Sequence, residues 1–325
     1  MNPTTTSLKE STMTEPIILD NTKRSQYRQC KKKYFLSSVK GIQSNYGSTA
    51  IRYGVCWHGI QEGFHNFVKE NGWPRTQEEL SSAITAGLTL GIEKWEKESR
   101  TKTYNEDYKN FNTAVNAFNA YLEYFKEDQN YLKILATETK FECPIEPENE
   151  AEDKMLSKLP PIVFTGRIDL SVEMDSMKWI WDFKTTGWIL EQVIAKANRS
   201  PQLIGYSYAG AKVLDFKPNG CLASFAYIGA YKSRKTGEYG DVKYDFRRVP
   251  QVYTQEDIDA WKLSFIDTAR EIHFSTENNL WPESFDNCHQ YGVCPYLRLC
   301  QQHCKFEELN LEGFHEEFWD VLEEE

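Results

Sequence analysis

Long apolar runs are missing from this chain. No stretch of its 325 residues approaches the ~18–20 consecutive apolar positions that a membrane-spanning helix needs. The first residues, MNPTTTSLKESTMTEP, contain no apolar segment of the secretory kind, so an export signal is not expected. Cysteine is sparse, 8 residues in all. That is too few for a disulfide scaffold, and without an export signal the thiols read as reduced or metal-bound, which points to the cytoplasm. A basic excess is also missing: 38 Lys and Arg face 48 Asp and Glu, a net charge of −10. There is no internal repeat, and no low-complexity segment outside the C-terminal tail. What is present is 40% hydrophobic, 14% aromatic and 26% charged residues. That composition belongs to a folded, water-soluble protein and excludes wholesale disorder, a collagen-like fibre or a coiled-coil rod. The length suits one large domain or two small ones.

The acidity is not evenly spread. Residues 301–325 hold nine acids and a single base, Lys305, so the first 300 residues carry a net charge of only −2. Residues 21–40 hold seven bases (Lys23, Arg24, Arg28, Lys31, Lys32, Lys33, Lys40) and no acid. A polyanion responds to the local field, so a basic patch on a near-neutral body keeps nucleic acid open as a partner. A solvated helix face is the plainer reading of that patch on charge alone.

The patterning divides the chain into helices, then strands, then mixed elements. Residues 1–22 are Thr/Ser-rich and expected to be mobile. Helices are expected from Ser25 and over 49–70, the latter ending at Asn71-Gly72. Two more fit within a helical insertion, residues 75–128, that shows no chemical signature. Alternation predicts strands over 132–143, 162–172 and 178–184, the last two joined as a hairpin around Met174–Met177. Residues 202–214 return to helix, 221–230 and 241–249 suit strands, and 254–273 suit a helix. The expected architecture is α/β: a mixed central sheet flanked by helices, as one domain over 23–305 with a Cys-rich segment at 286–305 and an acidic tail at 306–325.

Residues two apart on a strand share a face. Trp179, Trp181 and Phe183 should therefore take one face, and Ile180, Asp182 and Lys184 the other. On the preceding strand, Ile168, Leu170 and Val172 should oppose Thr165, Arg167 and Asp169. Pairing of the two strands would let Asp169 and Asp182 converge with Lys184 beside them. Two adjacent carboxylates repel unless a cation lies between them. A hard divalent ion such as Mg²⁺ or Mn²⁺ takes oxygen ligands and can activate a bound water. An isolated Asp-x-Lys is usually only a surface ion pair.

The pattern is not isolated. Gly166-Arg-Ile-Asp169 followed by Trp181-Asp-Phe-Lys-Thr-Thr186 resembles the PD-(D/E)XK nuclease superfamily. Gly54-Val-Cys-Trp-His58 upstream and Gln202-Leu-Ile-Gly-Tyr206 downstream, in that order, resemble its RecB-like branch, which includes the CRISPR-associated exonucleases and related phage nucleases. The resemblance covers about residues 24–305 and implies a restriction-endonuclease-like core. It implies Asp169 and Asp182 as ligands of Mg²⁺ or Mn²⁺, His58 as a further metal ligand, Lys184 as a catalytic lysine, and Gln202 and Tyr206 beside the active site. The residues agree in part: His58 has Glu62 on the next helical turn, and Gln202 and Tyr206 share a helix face. A supporting acid on the preceding strand would be Glu138, with Glu142 competing.

Four cysteines crowd the C-terminus in CHQYGVCPYLRLCQQHC. The Cys294-Pro-Tyr-x-x-x-Cys300 element resembles the iron–sulfur segment of the same branch. The resemblance implies a [4Fe–4S] cluster on Cys30, Cys288, Cys294 and Cys300, four thiolates being what such a cluster requires. The spacing departs from many relatives, with five residues between Cys288 and Cys294, and Cys304 is spare. A local Zn²⁺ site on Cys288, Cys294, Cys300 and Cys304, with His289 or His303, is the alternative. Cys56, Cys143 and Cys221 sit in apolar contexts and should be core thiols.

The expected function is a metal-dependent deoxyribonuclease, an exonuclease acting on DNA ends or single strands in recombination, repair or replication. A structure-specific endonuclease on the same core and a non-catalytic DNA-binding subunit are the alternatives. The acidic tail, GFHEEFWDVLEEE, reads either as a docking segment for a recombination or replication protein or as a solvated amphipathic helix.

Overall fold

The computed structural model describes residues 15–105, 107–290 and 292–323. In chain order it runs β1 (Ile17–Leu19), α1 (Asn21–Gln29), α2 (Lys31–Tyr34), a π-helical turn (Phe35–Val39), β2 (Ile42–Ser44), α3 (Thr49–Asn71), α4 (Gln77–Thr101), α5 (Phe111–Tyr124) and β3 (Leu132–Pro144). It continues with α6 (Glu150–Leu156), β4 (Ile162–Met174), β5 (Met177–Thr186), α7 (Leu190–Ala197), α8 (Pro201–Val213), β6 (Gly220–Gly229), β7 (Lys243–Gln251), α9 (Gln255–Glu277), α10 (Leu297–Cys300) and β8 (Phe314–Glu316). Among the described residues no helix is long and apolar enough to cross a membrane.

The expected mixed α/β fold is present. β1, β4, β5, β6 and β7 form one ordered sheet, with β3 paired to the other edge of β4. β4 and β5 make the expected hairpin, with Met174 opposite Met177. Asp175 and Ser176 at its tip both have positive φ, 51° and 63°, as a two-residue turn matched to strand twist requires. β5 and β6 run parallel, β6 and β7 antiparallel.

Each face of the sheet carries its own core. On one, Phe164, Ile168, Ile180 and Phe225 meet Leu203, Ile204 and Tyr206 of α8 and Trp261 and Phe265 of α9. On the other, Leu170, Val172, Trp179, Trp181 and Phe183 meet Tyr53, Trp57, Ile60 and Phe64 of α3 and Phe118 and Tyr121 of α5. The α3 residues recur at helical three- and four-residue spacing, which is why this segment folds as one long amphipathic helix. Gly72, at φ 81°, ends it where expected. Ile168 and Leu170 join opposite cores, so the two-residue alternation expected along β4 breaks at Asp169.

Two terminal segments differ from expectation. The expected mobile leader, residues 1–22, extends in part outside the described residues, but Ile17–Leu19 is a sheet strand, parallel to Ile162–Phe164 of β4. Asp20 then caps α1 by accepting the Lys23 N–H at 2.8 Å. Among its described residues the tail does not form the amphipathic helix considered for it. β8 pairs antiparallel with β2, and Phe306, Leu309, Leu311 and Phe314 pack on Phe35, Leu36, Ile42, Tyr296 and Leu299.

α4 of the insertion packs along α3 through glycines. A Cβ on Gly63 would lie 2.5 Å from the Ala86 carbonyl oxygen and 2.9 Å from the Gly87 Cα. Backbone cannot yield as a side-chain tip can, so Gly63→Ala should push the helices apart and cost about 1–3 kcal/mol. The expected outcome is a lower urea midpoint with an unchanged denaturant slope.

Candidate active site

The site occupies a fork in the sheet. β3 covers one edge of β4 along its length. On the other edge β1 pairs with residues 162–164 and β5 with residues 170–174. Between them β5 leaves β4, and the last paired residues are Leu170 and Trp181. Asp169 and Asp182 follow on the diverging strands. The Phe183 N–H, released from the ladder, donates to Asp169 Oδ2 at 2.8 Å. A side chain thus replaces a strand carbonyl and fixes the carboxylate at the crotch of the fork.

The expected residues come together here. His58 Nδ1, from α3, is 3.3 Å from Asp169 Oδ2, and Lys184 Nζ is 2.7 Å from Asp182 Oδ1. Asp182 is 1% exposed and Lys184 39% at the side chain, so solvent reaches the lysine but not the carboxylate it holds. Asp182 Oδ2 is buried with no hydrogen-bond partner.

The two candidate acids of β3 lie in different settings. Glu138 pairs with Arg167 Nε at 2.8 Å beside the fork, whereas Glu142 is exposed. The Glu138 φ of 45° is rare for a non-glycine residue within a strand and is the kind of strain that collects at functional sites. No local sequence signal marks it. Gln202 Nε2 donates to Tyr206 Oη at 2.9 Å, and Tyr206 Oη donates to the Arg167 carbonyl at 2.8 Å. Tyr206 is buried and braces β4 two residues before Asp169. The insertion also reaches the site: Lys94 of α4 lies 2.9 Å from Glu62. Gly59 lets its stem cross α3, since a Cβ there would meet Lys94 Cδ at 3.0 Å. Sequence periodicity offers no sign of that long-range pair.

The charges hold each other. Burial opposes ionisation of Asp169, but His58, Lys184 and the Phe183 N–H outweigh it and hold the carboxyl below its ordinary value. Burial pushes Asp182 up, and the neighbouring Asp169 adds to the rise against the pull of Lys184. Burial would lower Lys184, but the two aspartates hold it above the usual lysine range. Burial disfavours the His58 imidazolium, but Asp169 raises His58 overall. Burial, with repulsion from Asp169, pushes Glu138 up to about 8.

These donors fit a hard divalent ion. Among the described residues no three His, Cys, Asp or Glu side chains are placed to hold a metal by themselves. Mg²⁺ is commonly held by one or two carboxylates, with water and substrate phosphate completing the shell. Two neighbouring aspartates, one with an unpartnered buried oxygen, match that requirement.

The cysteines differ in burial. Cys56, Cys143 and Cys221 are buried. Cys30, Cys288, Cys294 and Cys300 line one cavity of about 120 Å³ between the end of α1 and the C-terminal segment; Cys304, His289 and His303 do not line it.

A strand fork bearing two aspartates and a lysine, on a mixed sheet between helical layers, is the frame of a phosphodiesterase that works with a metal. Residues 21–301 match the PD-(D/E)XK nuclease superfamily, and the chain belongs to it. Members of that superfamily are phosphodiesterase nucleases. No curated protein matches the chain. Among solved structures, it is similar to a candidate exonuclease from Eubacterium rectale (11% identity, 81% of this chain and 92% of that one, TM-score 0.33). It is also similar to the protein SSO0001 (10% identity, 76% and 84%, TM-score 0.27). At that level of likeness neither speaks to what this chain acts on.

The raised carboxyl of Glu138 gives a pH test. An unfolded Glu138 loses its proton near its ordinary value of 4.5, while the folded one keeps it until about 8. The metal-free folded state therefore loses stability progressively as pH rises through that window. Glu138→Gln removes this titration. With chelator present, the melting temperature of the variant relative to wild type should climb from pH 4.5 to pH 8 and level off above. A difference that stays flat with pH would show that Glu138 ionises normally.

Proposed function

We propose that this protein is a Mg²⁺- or Mn²⁺-dependent deoxyribonuclease, an exonuclease that works on DNA ends or single strands in recombination, repair or replication. The observation that carries this reading is the fork itself: Asp169 and Asp182 on the diverging strands, with the Asp182 Oδ2 atom unpartnered and Lys184 partly exposed beside them. Asp169 and Asp182 would hold the ion, with His58 as a further ligand. Bound there, the ion would supply an activated water and a counter-charge for the phosphoryl oxygens. Lys184, kept protonated by the two aspartates, orients the attacking water or offsets charge developing on the scissile phosphate. The Phe183 N–H keeps the Asp169 carboxylate fixed at the fork. Tyr206 holds the β4 backbone in place, and Gln202 fixes the Tyr206 hydroxyl while remaining within reach of a substrate strand. The basic segment 23–33 would attract the DNA backbone.

Exonuclease action is favoured over sequence-specific cleavage because no separate groove-reading module accompanies the sheet among the described residues. The four thiols lining one cavity support a [4Fe–4S] cluster on Cys30, Cys288, Cys294 and Cys300. It would tie α1 to the C-terminal segment as a structural staple. We assign a recombination or replication protein to the tail, where half-exposed Phe318 and Trp319 lie beside Asp320.

Lys184→Ala should slow Mg²⁺-dependent digestion of end-labelled DNA by at least ~10² while DNA binding persists. Loss of digestion in wild type with every divalent ion would favour a DNA-binding subunit. A closed circle of single-stranded DNA should survive, and its cleavage would mark an endonuclease.

The thiol cavity has its own test. Protein purified without oxygen should be brown, with equal iron and acid-labile sulfide, and Cys30→Ser should lose both. Bound zinc in place of iron would reverse the assignment.

A further inference from the structure

The helical insertion carries a lysine whose setting no fold-stabilising contact explains. Lys109 lies in the loop between α4 and α5 and is only 8% exposed. The other buried lysines have carboxylates: Lys94 has Glu62 at 2.9 Å and Lys262 has Glu152 at 2.7 Å. Lys109 has no ion pair and no side-chain hydrogen bond among the described residues, and the Tyr108 ring centroid is 6.0 Å from its Nζ. Asp107 acts on it through space, and Asp107 Oδ1 is itself buried without a hydrogen-bond partner. Burial lowers the Lys109 ammonium below the usual lysine range. The ammonium has no contacting carboxylate, and its Nζ is not sealed from solvent as Asp107 Oδ1 is, so an anion from outside the chain can reach it.

The position of the ammonium shows where that charge would lie. A Cβ on Gly187 would sit 3.5 Å from Lys109 Nζ and 3.4 Å from Tyr108 Oη. Gly187 follows the last residue of β5 and lies three residues beyond Lys184, about 10 Å along an extended chain. The next residue, Trp188, is held at its backbone by Thr186 Oγ1 (3.0 Å) yet is 70% exposed. Tyr231, 73% exposed, follows the parallel neighbour β6. Cation and exposed indole thus belong to the strand end that carries the catalytic lysine.

We propose that Lys109 binds a backbone phosphate of a single-stranded part of the substrate, flanking the scissile phosphate, while Trp188 stacks on an adjoining base. This rests on the nuclease reading and adds to it a strand class and a second contact point. A polyanion supplies the missing counter-charge, and an exposed indole recognises a base face, which an unpaired strand offers and a stacked duplex hides.

The test measures equilibrium binding of a fluorescein-labelled oligothymidylate, by anisotropy over a range of salt, to Asp182→Asn protein that binds without cleaving. Adding Lys109→Met should weaken binding about tenfold at low salt and reduce the slope of log K against log salt by about 0.7, the loss of one phosphate contact on a single strand. Lys109→Arg should keep the slope. Trp188→Ala should weaken binding about tenfold with the slope unchanged. An unchanged slope for Lys109→Met in protein that otherwise binds would overturn the proposal and leave the nuclease reading standing. Equal losses on blunt duplex DNA would overturn the strand class. If wild type neither binds nor digests DNA, it is the nuclease reading that fails.

Discussion

Where β5 parts from β4, two carboxylates are forced into one closed-in space, and much of the molecule is arranged to keep them there. Asp169 takes the Phe183 N–H that the β4 ladder gives up, so opening the strands and fixing the carboxylate are one event. Two like charges at such a place would ordinarily drive a proton onto one of them. His58 and Lys184 offset part of the repulsion, and Asp182 still bears a raised affinity for protons. Its second oxygen, buried without a partner, is where a cation has most to gain.

The surrounding layers make the fork durable. α3 brings His58 in from one face, and α4 steadies α3 through glycine-mediated contact and the Lys94–Glu62 pair. From the other face α8 sends Tyr206 onto the β4 backbone, and Gln202 holds that hydroxyl. Glu138 sits opposite in a left-handed conformation, paired with Arg167. Sheet, helices and insertion thus meet at one small cluster of charge, and disturbing any layer should reach the carboxylates.

Much of this was legible in the residues. The expected β4–β5 hairpin brought Asp169 near Asp182 and Lys184, and the four-residue spacing of Gln202 and Tyr206 placed them on one helical face. Other features lack a local signature. A three-residue strand such as Ile17–Leu19 is too short to show a period, and its pairing with β4 is a long-range event. The pairing of β8 with β2 joins segments some 270 residues apart, so the tail reads as free until its apolar residues are seen against the Cys-rich lobe. The break in alternation at Asp169 follows from the fork, which composition does not announce. The insertion looked chemically silent because Lys94 and Lys109 acquire meaning only from partners, present or missing, elsewhere in the chain.

The account stands or falls on whether Asp169 and Asp182 share one ion. Crystals soaked in Mn²⁺ and measured at the manganese absorption edge address this without reference to activity. A single anomalous peak within coordination distance of both carboxylates, touching Asp182 Oδ2, is the predicted result. A peak bound to only one of them, or no peak at the fork at saturating Mn²⁺, would contradict it.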